Sequence, residues 1–220
     1  MWGDELVDPD ADTTTNDGLQ QNNRYRQRHC FLGQLGAHYQ VPVENFGIPG
    51  GSLQTATWNF LWWLEHEPDP EQCLVIVQNT YSDRIAHFDA DFKKRNYYHK
   101  WYRYFHNGYS IPDEARTLIK MQTALTVCKE WQELNYSQSV LALDGIAARR
   151  NLQLFQFNVV QADCALTHVP TLIWPNWNLA DYFANLQKEH GMKYLKPGLH
   201  PNELGHELLA QRLINHIDQV

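Results

Sequence analysis

A histidine set immediately before a helix is the residue of this chain best placed to do chemistry. His200 stands in Gly198-Leu199-His200-Pro201-Asn202-Glu203-Leu204-Gly205-His206. Pro201 fixes φ, Asn202 suits an N-cap, and Glu203 puts negative charge in the first helical turn. Leu204, Leu208, Leu209, Leu213, Ile214 and Ile217 follow at three- and four-residue spacing, so the helix is expected to bury one face. A histidine held this way can act as a general base on a neighbouring hydroxyl. The competing reading is a loop histidine that only hydrogen-bonds. The hydroxyl partner is harder to find. Ser52 lies in the glycine-rich turn Pro49-Gly50-Gly51-Ser52 but lacks the Gly-x-Ser-x-Gly spacing of a nucleophile elbow. Capping the helix that follows is the better role for it.

A second group of residues could bind rather than react. Phe92 to His106 interleaves lysine and arginine with tyrosine, phenylalanine and Trp101. Aromatic faces stack on rings and arginine holds phosphate or carboxylate. The same pattern also describes a helical lid whose aromatics pack inward while the basic side chains snorkel. His200 and His206, six apart with Glu203 between them, do not fit a zinc spacing, and no other metal set is expected. No Gly-rich Lys-Ser/Thr phosphate loop occurs, and no cofactor is expected.

The elements that must position these residues read as alternating helices and strands. Met1 to Asn23 reads as an exposed polar loop, and Arg24 to Tyr39 as one helical face carrying Tyr25, Phe31, Leu32, Leu35 and Tyr39. Val41 to Ile48 reads as a short strand ended by Pro49-Gly50-Gly51, and Ser52 to Leu64 as a helix. Cys73 to Val77 is a continuous apolar run, the mark of a parallel strand covered on both faces. Residues 85–150 read as a mostly helical, aromatic-rich insertion. Leu152 to Val160 is a further strand, Thr171 to Trp174 a weaker strand-like segment, and Ala180 to His190 a short helix. This alternation implies a single α/β domain over 1–220, a three-layer sandwich around a mainly parallel sheet with right-handed connections. Sites in such sheets form at the carboxyl ends of the strands, where the Asn45–Ser52 and Asn79–Arg84 segments fall.

Size and charge narrow the functions. A chain of 220 residues with net charge −7 can build one core of ordinary size and is a poor general ligand for nucleic acid. Cys30, Cys73, Cys128 and Cys164 lack metal spacing and are expected as buried free thiols. No apolar run of roughly 18 residues and no signal-like start is present, so a cytoplasmic or virion-associated protein without membrane partners is expected.

The His200 segment resembles the last sequence block of the SGNH (GDSL-type) hydrolases, Asp-x-x-His-Pro-Asn followed by Gly-His and a C-terminal helix. His200, Pro201, Asn202, Gly205 and His206 match, while Pro197 occupies the place of the Asp. Asn45-Phe46-Gly47-Ile48-Pro49-Gly50-Gly51-Ser52 resembles the second block, which implies Gly50 as an oxyanion glycine. Gln78-Asn79-Thr80 sits where the family carries Gly-x-Asn-Asp, which implies Asn79, or alternatively Thr80, as a second oxyanion donor. Thr80 and Arg84 match a Thr-x-x-x-Arg pattern of phage-type members, which marks Arg84, with Trp101, as a substrate-side residue.

The first block, Gly-Asp-Ser, has two readings here. Either Gly3-Asp4-Glu5 is that block with Glu5 in place of serine, or Trp2-Gly3-Asp4-Glu5-Leu6 matches residues just downstream of it. Both imply that the first, central strand of this flavodoxin-like fold is missing, because a strand needs about five residues. An open sheet edge would then invite a second copy or a partner chain. The resemblance implies a cofactor-free serine esterase acting on acyl or acetyl esters, including those of carbohydrates. With the nucleophile serine and the triad Asp not found, weak activity or none is expected. The alternative is a non-catalytic glycan-binding or structural module, phage-related, derived from that fold.

Overall fold

The computed structural model describes residues 6–47, 51–82, 86–88, 101–103, 128–160, 166–196 and 200–220. Along the chain the elements are α1 (Asn16–His29), α2 (Phe31–Tyr39), α3 (Leu53–His66), β1 (Leu74–Asn79), β2 (Ala86–Phe88), β3 (Trp101–Arg103), α4 (Lys129–Arg150), β4 (Gln153–Asn158), α5 (Leu179–His190), β5 (Leu195–Lys196), β6 (His200–Pro201) and α6 (Glu203–Ile217). Two compact units emerge, residues 1–49 with 180–220 and residues 50–179.

In the first unit, α1 starts behind Thr15, whose Oγ1 accepts the Gly18 N–H at 3.0 Å. The chain before it is pinned rather than loose. Leu6 is fully buried and its carbonyl accepts from Arg26 Nε at 2.8 Å, while the Asp8 N–H donates to Asn22 Oδ1 at 2.8 Å. Helix therefore begins well before Arg24, because the first turns of α1 are built from polar residues that show no apolar period. The single helix expected over 24–39 is interrupted at Cys30, where the backbone turns extended. Gly33 lets α2 fold back closely, since a Cβ there would run into the Gln27 carbonyl oxygen. Residues 41–47 form no strand. Pro42 lacks an N–H, and both Val41 and Val43 are exposed instead of entering a ladder.

The C-terminal helix forms as its capping signal requires. The Gly205 N–H donates to Asn202 Oδ1 at 3.0 Å, with Glu203 in the first turn. Leu209, Leu213 and Ile214 are buried as expected, but Leu204 is 45% exposed, so the apolar face begins one turn later than the leucine spacing suggests. α6 packs on α2 and α1, and Phe31, Leu35, Phe183 and Leu195 are buried in the same unit.

In the second unit, β1 and β4 pair in parallel from Leu74↔Gln153 to Asn79↔Asn158, the connection running through α4. Isolated parallel bridges, Gln156↔Leu172 and Asn158↔Asn178, extend the pairing to the far side of β4. Phe60 from α3, Val77 from β1, Leu143 and Ala147 from α4, and Leu154 from β4 form one core cluster. Each such side chain, fully buried, contributes about 1.5–3 kcal/mol. β1 is covered less completely than its apolar run predicts, with Leu74, Val75 and Ile76 only half-buried. Within the expected helical insertion, Lys129–Arg150 is helical as expected, but the two short segments described ahead of it are not. Ala86–Phe88 and Trp101–Arg103 make an antiparallel ladder instead. Residues 104–127 of the expected insertion lie outside the described residues, and α4 spans Lys129 to Arg150 without a break. Among the thiols Cys30 is buried, Cys73 half-buried and Cys128 exposed, the last contrary to expectation because it precedes α4 instead of lying within a helix.

Candidate functional site

Asn79 ends β1 with its side chain almost wholly buried, and among the described residues neither Oδ1 nor Nδ2 has a hydrogen-bond partner. Its neighbour across the parallel ladder is Asn158, and the next chain segment contributes Asn178 by a bridge to Asn158. Register partners in a sheet share a face, so three buried asparagines stand in a row at the carboxyl end of this sheet. Asn158 is fixed by Tyr136, whose hydroxyl donates to Asn158 Oδ1 at 2.8 Å. Tyr136 packs with Leu53, the first residue of α3. Nearby, Asn135 Nδ2 donates to the Ser82 carbonyl at 2.8 Å, tying the loop after β1 to α4.

Ser52 is committed elsewhere. It is 1% exposed, its Oγ accepts the Thr55 N–H at 3.1 Å, and it exchanges a hydrogen bond with Thr55 Oγ1 at 3.0 Å. This hydroxyl is already engaged in capping α3, not presented as a nucleophile. Gly50 and Arg84 lie outside the described residues. Trp101 is placed in β3, opposite Phe88.

His200 belongs to the first unit. It is exposed on β6, in a two-residue antiparallel ladder whose partner across from it is Lys196. A lysine carries only donors, so this neighbour does not supply the acceptor that an acid three residues earlier gives the base in the resembled motif. Gly205 and His206 after it do structural work. A Cβ on Gly205 would collide with the Tyr194 carbonyl oxygen. His206 is fully buried, and its Nδ1 accepts the Phe31 N–H at 3.2 Å, which caps α2 where Cys30 supplies no side-chain bond. Glu203 accepts from the Tyr25 hydroxyl and stands 4.0 Å from His29 Nδ1. Burial, and then the Glu203 carboxylate, push the Tyr25 hydroxyl up to about 12.

Ser52 and Asn79 are thus carried by one unit and His200 by the other. Asn158, Asn178 and Tyr136 were not picked out from the sequence. One signal was present, since the apolar runs of β1 and β4 both end in asparagine, but only the register aligns them. On the opposite face of β4, Phe157 meets Trp174 at 6.5 Å between ring centroids, and Trp174 holds φ at 55°, a strained value for a bulky residue. Among the described residues no group of three or more His, Cys, Asp or Glu side chains could hold a metal ion. No described helix is long and apolar enough to cross a membrane. No protein-family model, curated protein or solved structure matches the chain.

Proposed function

We propose that the chain is an SGNH-like ester-hydrolase scaffold, a three-layer α/β sandwich with a mainly parallel central sheet, that keeps an oxyanion corner but no efficient nucleophile. The observation that carries this is Asn79. A buried carboxamide with both ends unmet, at the carboxyl end of a parallel strand, is a donor without a recipient. Such a group is what an oxyanion site requires before substrate arrives. Gly50 supplies the companion backbone N–H in this reading, His200 is the base, and Arg84 and Trp101 hold the alcohol or sugar portion of a small acyl or acetyl ester.

The capping role of Ser52 favours a second reading, a non-catalytic glycan-binding or structural module, cytoplasmic or virion-borne. In it the edge of β1 that is unpaired among the described residues pairs with a second copy or a partner chain. Neither reading uses nucleic acid, a membrane or a cofactor.

Hydrolysis of 4-nitrophenyl acetate separates them. Under the first reading, turnover above background disappears in His200→Ala, falls by roughly 10²–10³ in Asn79→Ala, and persists in Ser52→Ala. Background rates in all four proteins, with glycan affinity weakened by Trp101→Ala, establish the second.

A further inference from the structure

The first unit carries a shallow, wide-open cleft of about 540 Å³ between α1 and the chain running from Gly33 to Val43, and the α1 side chains along it are exposed. Arg24, Gln27 and Arg28 line one side. They are three and four apart on α1 and so share a face. The floor is the backbone of Gly33 and Gly36. Val41 and Val43 form an apolar wall, 53% and 42% exposed. Among the described residues neither guanidinium has an acidic partner, although the chain holds 25 acidic residues against 18 lysines and arginines. Like charges four apart on a helix repel. The negative end of the α1 dipole accounts for Arg28, which lies in the last turn, but not for Arg24.

We propose that this cleft binds a phosphate monoester bearing a small apolar group. Two guanidinium forks facing one cavity match a dianion, because each can give paired N–H donors to phosphoryl oxygens. A phosphate monoester carries nearly two negative charges at neutral pH. The valines take the apolar substituent, and the Gln27 side chain adds a polar edge. A cleft with an apolar wall and a few convergent polar groups is the usual form of a small-molecule site. The assignment is independent of the ester-hydrolase reading.

Phenyl phosphate titrated into the full chain tests it, followed by calorimetry and by amide chemical shifts. Saturable binding is expected, with a Kd on the order of 1 mM or tighter and the Gly33 and Gly36 amides among the largest shifts. Arg24→Gln and Arg28→Gln should each weaken it about tenfold or more, while Arg149→Gln on the exposed end of α4 leaves it unchanged. Benzoate, the same ring with a single charge, should bind at least about tenfold more weakly. No saturation by about 10 mM, shifts centred outside the cleft, wild-type affinity in both arginine variants, or equal binding of benzoate would each overturn the proposal. Because the amide shifts are read on the unmodified chain, the outcome does not depend on the variants folding.

Discussion

A carboxamide shut away from water with a donor and an acceptor unmet costs a fold on the order of 1–3 kcal/mol for each group. Asn79 carries both. Leucine keeps the same four-atom branched skeleton and has no polar atoms, although its methyl groups are bulkier, so Asn79→Leu should raise unfolding stability by about 1 kcal/mol, measured as a higher urea midpoint at constant m. The same change should abolish any ester turnover. Asn158→Leu should act in the opposite direction. It removes the 2.8 Å bond that Asn158 accepts from the buried Tyr136 hydroxyl, and should cost about 1–3 kcal/mol. If both changes shift stability alike, Asn79 is an ordinary core residue and the oxyanion corner loses its support. Neighbouring side chains of identical type, one satisfied and one not, make this contrast internal to the site.

At the scale of elements, the His200 segment separates into framework and chemistry. Gly205→Ala forces a methyl group against the Tyr194 carbonyl, and should cost about 1–3 kcal/mol. His206→Ala leaves the Phe31 N–H at the head of α2 without its 3.2 Å acceptor, with a similar loss. His200→Ala, at an exposed position, should change stability by less than about 0.5 kcal/mol. Urea unfolding of the three variants checks the order. α3, β1, β4 and α6 were legible in the sequence because each carries a local signal: the Ser52 and Asn202 caps, a continuous apolar run, or leucines at helical spacing. The first half of α1 was not, because residues such as Asn16, Gln20 and Asn23 give no period. Val41 and Val43 have strand propensity, yet propensity cannot supply the neighbouring strand that a ladder needs. The row Asn79, Asn158 and Asn178 was illegible for a related reason, since register joins residues far apart in the chain. His200 and Ser52 could be found by type and spacing, and the Thr55 N–H bond bears out the capping role expected of Ser52.

At the scale of the whole molecule, two tyrosines bind the early helices to the last one. Tyr25 on α1 donates to Glu203 at the head of α6, and Tyr39 at the end of α2 donates to Asp218 just past its foot at 2.9 Å. Burial first, and the accepting carboxylates second, raise both hydroxyls from their ordinary value of 10.0 to about 12. A group whose folded value lies above its unfolded one stabilises the fold fully below the unfolded value. That contribution is lost as pH climbs toward the folded value. Stability from these two links should therefore hold up to about pH 10 and decline between pH 10 and 12. Absorbance at 295 nm should show two phenols ionising late, and Tyr25→Phe with Tyr39→Phe should flatten the decline. Two phenols titrating with the rest would disprove the ties. The interruption between α1 and α2 has another consequence. Cys30, 1% exposed, has its thiol pushed up by burial and donates to the Gln27 carbonyl, whereas Cys128 faces solvent. Iodoacetamide should alkylate Cys128 at once and Cys30 only when the helix junction opens. The slow arm of that reaction, followed by mass spectrometry, is a clock for the opening of this unit and needs no substrate to run.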